Sequence, residues 1–355
     1  MGPFGKFLIL GLSSIGIGLA AVFHARRQRL SMRYTAGWLV LSLVGVAAAA
    51  LVPLVTPVAS LLSLSPGVVV SGVAVAILIA LALQLSVSVS GALRQAEVLA
   101  LRMALDQAPN STAPSGETLV VIPAWNEVSS VADVVIPLVR LGHTVVVVND
   151  GSTDGTGRRA AEAGALVVSL PFNLGVGAAV RCGMTYALMV GARRVVQCDA
   201  DGQHPVESVG ALLNLASTSG ADLVIGSRFT EGDAPQMTLT RSRRFAMRVL
   251  ARMASRATGS AITDATSGFR VINQPLLGEL ASRMPSYYLG DTFETYVAAG
   301  RAGYKVVELH TPIGERLEGS SSATVTSSIL MLVKAVFLVK TRLGIQLHQR
   351  PTTSR

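Results

Sequence analysis

The chain has 355 residues, with 30 Lys and Arg against 21 Asp and Glu, for a formal charge of +9 at pH 7. Half of it is hydrophobic and only 14 % is charged, and a mean hydropathy of +0.51 argues against a chain that is an ordinary soluble enzyme from end to end. The two cysteines, Cys182 and Cys198, exclude a disulfide framework, and no Cys/His cluster is spaced for zinc.

The hydrophobic excess lies before residue 95. Phe7–Phe23, Ala36–Val55 and Val68–Val89 contain no charged side chain, and the latter two are long enough to cross ~30 Å of hydrocarbon. No small-residue cleavage site follows the first run, and Arg26–Arg27 close it, so it reads as a span rather than a signal peptide. Three spanning helices are expected within a membrane module at residues 1–92. Arg26, Arg27, Arg29 and Arg33 crowd the loop between the first two spans, whereas Pro57–Pro66 carries no charge. The positive-inside rule then puts the N-terminus outside and everything after the third span in the cytoplasm. Residues 93–117 read as a helix-prone connector followed by a breaker-rich loop, APNSTAPSGE.

Beyond residue 118 the pattern changes. Apolar runs at Thr118–Pro123, Thr144–Val148 and Arg194–Val196 are separated by helical patterns, which predicts parallel strands joined by crossover helices. Polar residues gather where each run ends: Trp125, Asn126 and Glu127 after the first, NDGSTDGT (Asn149–Thr156) at the second, CDADGQHP (Cys198–Pro205) at the third. Open α/β sheets bind ligands beyond the carboxyl ends of their strands. Asp199 and Asp201 flank one small residue in such a place, where two carboxylates suit a hard divalent ion that keeps positions open for a diphosphate. Gln203 could add a neutral oxygen or orient a water. His204 could touch the ion or simply cap the turn before Pro205. The NDGSTDGT segment, rich in turn formers, reads equally as a capped turn.

Further on, Arg241, Arg244, Arg248, Arg252 and Arg256 recur at helical spacing, opposite Ala246, Met247, Leu250, Met253 and Ala254. Such a helix suits an anionic membrane surface or lipid phosphate, or it is a solvated helix packed on the core. Nucleic acid is not expected, because no aromatic platform or reader motif accompanies the arginines. Asp291 and Glu294 form another acidic pair, read either as orienting an acceptor or, at Asp291, as a helix cap. Ser327–Leu343 is apolar but interrupted by Lys334 and ended by Lys340 and Arg342, which fits an interfacial helix, within a C-terminal segment at 323–355, better than a fourth span.

Taken in order, PAWNE (Pro123–Glu127), NDGSTDGT, NLGVGAAVRCG (Asn173–Gly183), DADGQHP, GSRF (Gly226–Phe229) and DATSGFR (Asp264–Arg270) resemble family 2 glycosyltransferases of the GT-A fold. The nearest likeness is to the dolichol- and polyprenyl-phosphate mannosyl- and glucosyltransferases. The resemblance implies an α/β fold, a nucleotide-sugar-binding, Rossmann-like mixed sheet flanked by helices, over residues 118–322. It also implies a hexose donor such as GDP-mannose or UDP-glucose, a Mg2+ or Mn2+ ion, and inversion at the anomeric carbon. Pro123, Trp125, Asn126, Glu127, Asp150 and Asp199 are the implied donor-binding residues, and Asp199, Asp201 and Gln203 the implied metal set. Asp201 is the implied catalytic carboxylate. Asp264 is either a base near the acceptor or a structural partner of Arg270. Arg228, Arg244 and Arg316 are the candidates for the acceptor's phosphate. Val176 stands where Lys is common, which puts phosphate contact by Asn173–Gly183 in question. The alternative within the family is transfer to a polysaccharide or protein acceptor. The sequence is compatible with a homo-oligomer and does not name the sugar.

Overall fold

The computed structural model describes residues 3–26, 37–47, 66–110, 118–229, 241–284, 291–311 and 345–351. The chain divides into two units, Met1–Leu93 and Arg94–Arg355. The first holds helix α1 (Pro3–Arg26), a helix α2 at residues 37–47, and most of α3, which runs from Pro66 to Asp106 and ends in the second unit. Within this unit Ser42 Oγ donates to the Ser14 carbonyl at 2.7 Å. Large apolar side chains such as Leu19, Leu43, Leu78 and Val87 are exposed. Among the described residues no helix is long and apolar enough to cross a membrane, and the three spans expected at residues 7–23, 36–55 and 68–89 rest on the sequence.

The second unit is built on a seven-stranded mixed sheet in the order β3-β2-β1-β4-β6-β5-β7. The strands are β1 (Thr118–Ala124), β2 (Thr144–Asp150), β3 (Leu166–Leu170), β4 (Arg194–Gln197), β5 (Leu223–Ser227), β6 (Arg270–Asn273) and β7 (Val306–His310). Strands β3, β2, β1 and β4 are mutually parallel, as the crossover pattern predicts. The short strand β6 enters antiparallel to both β4 and β5. It is only four residues long, too short to show a strand period of its own.

Alternation of side chains along β1 explains why the sheet is buried on both faces. Val121, with Val146 and Val148 of β2, joins a core with helices α6 (Val176–Met189), α8 (Arg241–Thr258), α9 (Leu276–Arg283) and α10 (Asp291–Arg301). Val120 and Ile122, with Val145 and Val147, join the opposite core under α4 (Val131–Arg140), α5 (Thr156–Glu162) and α7 (Val209–Ser219). The end of α3 belongs to the first core through Ala100, Leu101 and Ala104, and its buried Glu97 accepts from Arg181 Nη1 at 2.8 Å. Residues 345–351 lie against this unit: Ile345 N–H donates to Glu294, Arg350 N–H to the Ala302 carbonyl at 2.8 Å, and Arg350 Nε pairs with Asp222 at 3.0 Å.

Candidate active site

The carboxyl ends of β1, β2 and β4 carry the polar residues, and their loops are tied together. Asn126 adopts a left-handed φ of 55°. Its Oδ1 accepts from Thr153 N–H at 3.0 Å, its own N–H donates to Ser152 Oγ at 3.0 Å, and Glu127 N–H donates to Thr156 Oγ1 at 2.8 Å. The turn formers of NDGSTDGT therefore stitch the second loop to the first. Gly151 is required here: at φ +64° any Cβ would lie 2.5 Å from the Phe172 carbonyl carbon. The chain at Phe172–Asn173 thus passes directly over the end of β2.

That crossing forms one wall of a cleft of about 460 Å³ lined by Pro123, Ala124, Trp125, Asp150, Asn173, Gly175, Val176 and Ala179. Three of the expected donor residues, Pro123, Trp125 and Asp150, meet in it. Trp125, 54 % exposed, lines this cleft with its flat side chain only half buried. Asp150 Oδ1 and Oδ2 accept from Leu174 and Gly175 N–H, both at 2.8 Å. Burial raises the Asp150 pKa above the ordinary carboxylate value, and these two hydrogen bonds oppose that rise. Asn126 and Glu127, also expected at the donor, are not among the lining residues. The Glu127 carboxylate instead accepts from Ser130 Oγ at 2.6 Å at the start of α4. Asn173, Gly175, Val176 and Ala179 of the NLGVGAAVRCG segment complete the lining.

The DADGQHP loop follows β4. The Asp199 side chain is 40 % exposed, and Gln203 N–H donates to Asp201 Oδ1 at 3.1 Å. Asp199 N–H donates to His204 Nδ1 at 2.9 Å, and His204 is buried. Nδ1 is thus engaged by the backbone of the turn before Pro205. Two partly exposed carboxylates on a strand-end loop fit a hard divalent ion whose remaining positions go to water and phosphate oxygens. Among the described residues no cluster of three or more His, Cys, Asp or Glu is placed to hold a metal ion.

Asp264 is placed differently from either alternative read in the sequence. Its carboxylate is fully buried and accepts from Arg228 Nε at 2.6 Å and Arg228 Nη2 at 2.9 Å, a two-pronged pair, with Thr266 N–H and Oγ1 at 3.2 and 3.0 Å. Burial alone would raise its pKa, but the Arg228 hydrogen bonds and charge and the Thr266 N–H outweigh burial and hold it below the usual carboxylate value. A carboxylate so occupied and so stabilised as an anion is a poor proton acceptor. Of the two roles open in the sequence, the structural one thus has Arg228 and not Arg270 as its partner. Arg228 in turn is held charged: against the burial that would lower its pKa act Asp264, Tyr296 and, further off, Asp199. Arg228 Nη2 also donates to Thr266 Oγ1 at 2.6 Å, and Gly268, two residues on, abuts the Asp199 carboxylate, so the GSRF arginine and the DAD loop meet at the DATSGFR segment.

Of the other expected phosphate ligands, Arg244 lies on α8 with its Nε buried and, among the described residues, without a hydrogen bond. Arg316 lies outside the described residues, as does Ser327–Leu343. Arg248, Arg252 and Arg256 are exposed on α8 while Ala246, Leu250 and Ala254 are buried. Phe245 stands 59 % exposed on the same helix. Glu294 is buried; Oε1 accepts from Ile345 N–H, and among the described residues Oε2 has no hydrogen-bond partner, so it holds the tail. Both cysteines are free and buried, and burial, with Asp150 nearby, pushes the Cys182 thiol up to about 12.

Residues 119–281 match the family model described as glycosyl transferase family 2. The chain is 32 % identical over 228 residues to the polyprenol monophosphomannose synthase of Mycolicibacterium smegmatis, covering 60 % of this chain and 83 % of that protein. It is 31 % identical over 218 residues to the undecaprenyl-phosphate mannosyltransferase of Micrococcus luteus, covering 57 % of this chain and 86 % of that one. Among solved structures, glucosyl-3-phosphoglycerate synthase from Mycobacterium tuberculosis, crystallised with Mn2+, UDP and phosphoglyceric acid, aligns with a TM-score of 0.46 at 23 % identity, covering 69 % of this chain and 82 % of that one.

Proposed function

The chain belongs to glycosyl transferase family 2 and is a glycosyltransferase, and we propose that it transfers a hexose from a nucleotide sugar, GDP-mannose or UDP-glucose, to a polyprenyl phosphate with inversion. The observation that carries this reading is the juxtaposition at one sheet edge: an apolar cleft with Trp125 and Asp150, the partly exposed Asp199–Asp201 loop, and an Arg228 fixed by Asp264 and Thr266, whose segment abuts Asp199 through Gly268. The names of the M. smegmatis and M. luteus relatives support a lipid-linked acceptor.

In this reading the nucleoside lies in the cleft against Trp125, and Asp199 and Asp201, with Gln203 nearby, hold Mg2+ or Mn2+. The ion's contribution would be to neutralise charge gathering on the departing diphosphate. The acceptor phosphate needs little help from a base, because its second pKa is ~6 and it is largely ionised at neutral pH. That agrees with the occupied state of Asp264. What the protein must supply is alignment and counter-charge for two anions. Arg228, locked in orientation by Asp264, and Arg244, whose buried Nε has no hydrogen bond among the described residues, suit the acceptor side; Arg316 is assigned there by resemblance.

The lipid head would be presented at the cytoplasmic leaflet. The uncharged stretches before residue 95 would anchor the chain as three spans with the N-terminus outside, and the exposed arginines and Phe245 of α8 suit an anionic surface.

Membranes carrying the protein, given a panel of labelled nucleotide sugars, should move label into the organic phase on lipid extraction. Chelation and Asp201→Ala should each cut this transfer by more than 100-fold, with magnesium or manganese restoring the chelated wild type and the variant still folded by circular dichroism. Label confined to polysaccharide or protein would replace the lipid acceptor with the alternative one. Full activity in chelator would remove the metal from the mechanism.

A further inference from the structure

His204 bonds to the backbone of one of the two carboxylates on the DADGQHP loop. Asp199 N–H donates to Nδ1 at 2.9 Å, so that nitrogen carries no proton, and the ring proton of the neutral imidazole sits on Nε2. Nε2 lies 3.7 Å from Oδ2 of the same Asp199. One ring therefore faces both the main chain and the carboxylate of a single residue. The ring cannot swing away freely: it is 7 % exposed and stacks on Phe269, centroids 4.9 Å apart and planes 13° from parallel. Phe269 is itself fully buried. From the other side, the neighbouring Gly268 leaves room for the carboxylate, since a Cβ there would stand 3.0 and 3.1 Å from its two oxygens.

We propose that His204, backed by Phe269 and given clearance by Gly268, is a positioning residue that fixes the Asp199 carboxylate in the orientation required to take a divalent ion. The proposal rests on the reading of Asp199 as an ion ligand. A loop carboxylate 40 % exposed would otherwise sample several rotamers, and freezing them in advance raises affinity without adding a contact. The QHP and SGFR segments, 65 residues apart in sequence, then act as one device around Asp199.

The test uses the full-length protein in detergent and reads Mn2+ binding in the presence of UDP, by the loss of the free-ion electron paramagnetic resonance signal. His204→Ala should raise the half-saturating Mn2+ concentration by roughly 10-fold, within the ~10–100-fold range for residues that orient ligands. His204→Gln, whose polar end falls at the Nε2 position beside the carboxylate, should recover part of that loss. His204→Asn, which keeps only the acceptor for the Asp199 N–H, should not. If the Ala variant fails to fold, the Asn and Gln pair still decides the matter. Asn and Gln variants that bind alike, or an Ala variant within twofold of wild type, would overturn the proposal. Asp199→Ala separates the two levels: if it binds Mn2+ like wild type, the ion-ligand reading itself fails.

Discussion

The loop after β4 and the segment leading into β6 both present aspartates at the same end of the sheet, yet they use them in opposite ways. Asp199 keeps its carboxylate 40 % exposed, whereas Asp264 is fully buried and has both oxygens taken by Arg228 and Thr266. The difference teaches that the chemistry open to a carboxylate follows from how many donors the fold has already given it. A saturated carboxylate orients its partner; an unsaturated one can receive a ligand. Glu294 is a third case, buried with one oxygen lacking a donor among the described residues, and burial pushes its pKa up to about 7 against the opposing Ile345 hydrogen bond.

The sharpest way to break this contrast is Asp264→Ala. It should cost about 3–5 kcal/mol of stability, because it strands the Arg228 charge in a mostly buried place, and urea unfolding would measure it. Asp201→Ala should leave the same unfolding curve nearly unmoved. The Asp264 pKa is depressed in the fold, so its stabilisation is present above the unfolded value of ~3.9 and is lost as pH falls through the lower folded value. Asp264→Asn should abolish that acid-limb loss. An Asp264→Asn variant as stable as wild type at pH 7 but inactive would restore the base role.

A middle-sized effect is expected in the cleft. Trp125→Ala should weaken UDP or GDP binding by ~1–3 kcal/mol, roughly ten- to a hundredfold in Kd, if the exposed indole stacks on the base. Calorimetric titration gives the number, and a stability change without a binding change would put Trp125 with Asp264 rather than with Asp199. The smallest effect belongs to Glu294. Its folded pKa is raised, so the stability it lends is full below the unfolded value of ~4.3 and is lost as pH climbs through about 7. Glu294→Gln should flatten the stability slope across that window in thermal melts; an unchanged slope would assign it to other groups.

The strand-end motifs were legible because each polar cluster follows an apolar run of strand length, and because Asp-x-Asp has an obvious use there. Trp125 and Asp150 could be placed at a common edge on that ground. Asp264 could not, since its partner Arg228 is 36 residues away and is met only because β6 enters antiparallel beside β5. The only partner the sequence offers for it is Arg270, beside a base role, and Arg270 turns to Gln197 Oε1 at 2.9 Å on the neighbouring strand. Likewise Asn126 and Glu127 looked like ligands because they stand in a ligand-binding motif, and their stitching of two loops depends on partners in another segment.

Thr311, just past β7, donates its N–H to the Ser227 carbonyl at 2.8 Å, beside Arg228, and Ile345 is held by Glu294. Both ends of residues 312–344 are therefore tied to the same unit. A single cut between Thr311 and Ile345 would turn the docking of residues 345–351 from a contact within one chain, favoured by its high effective concentration, into one set by diffusion.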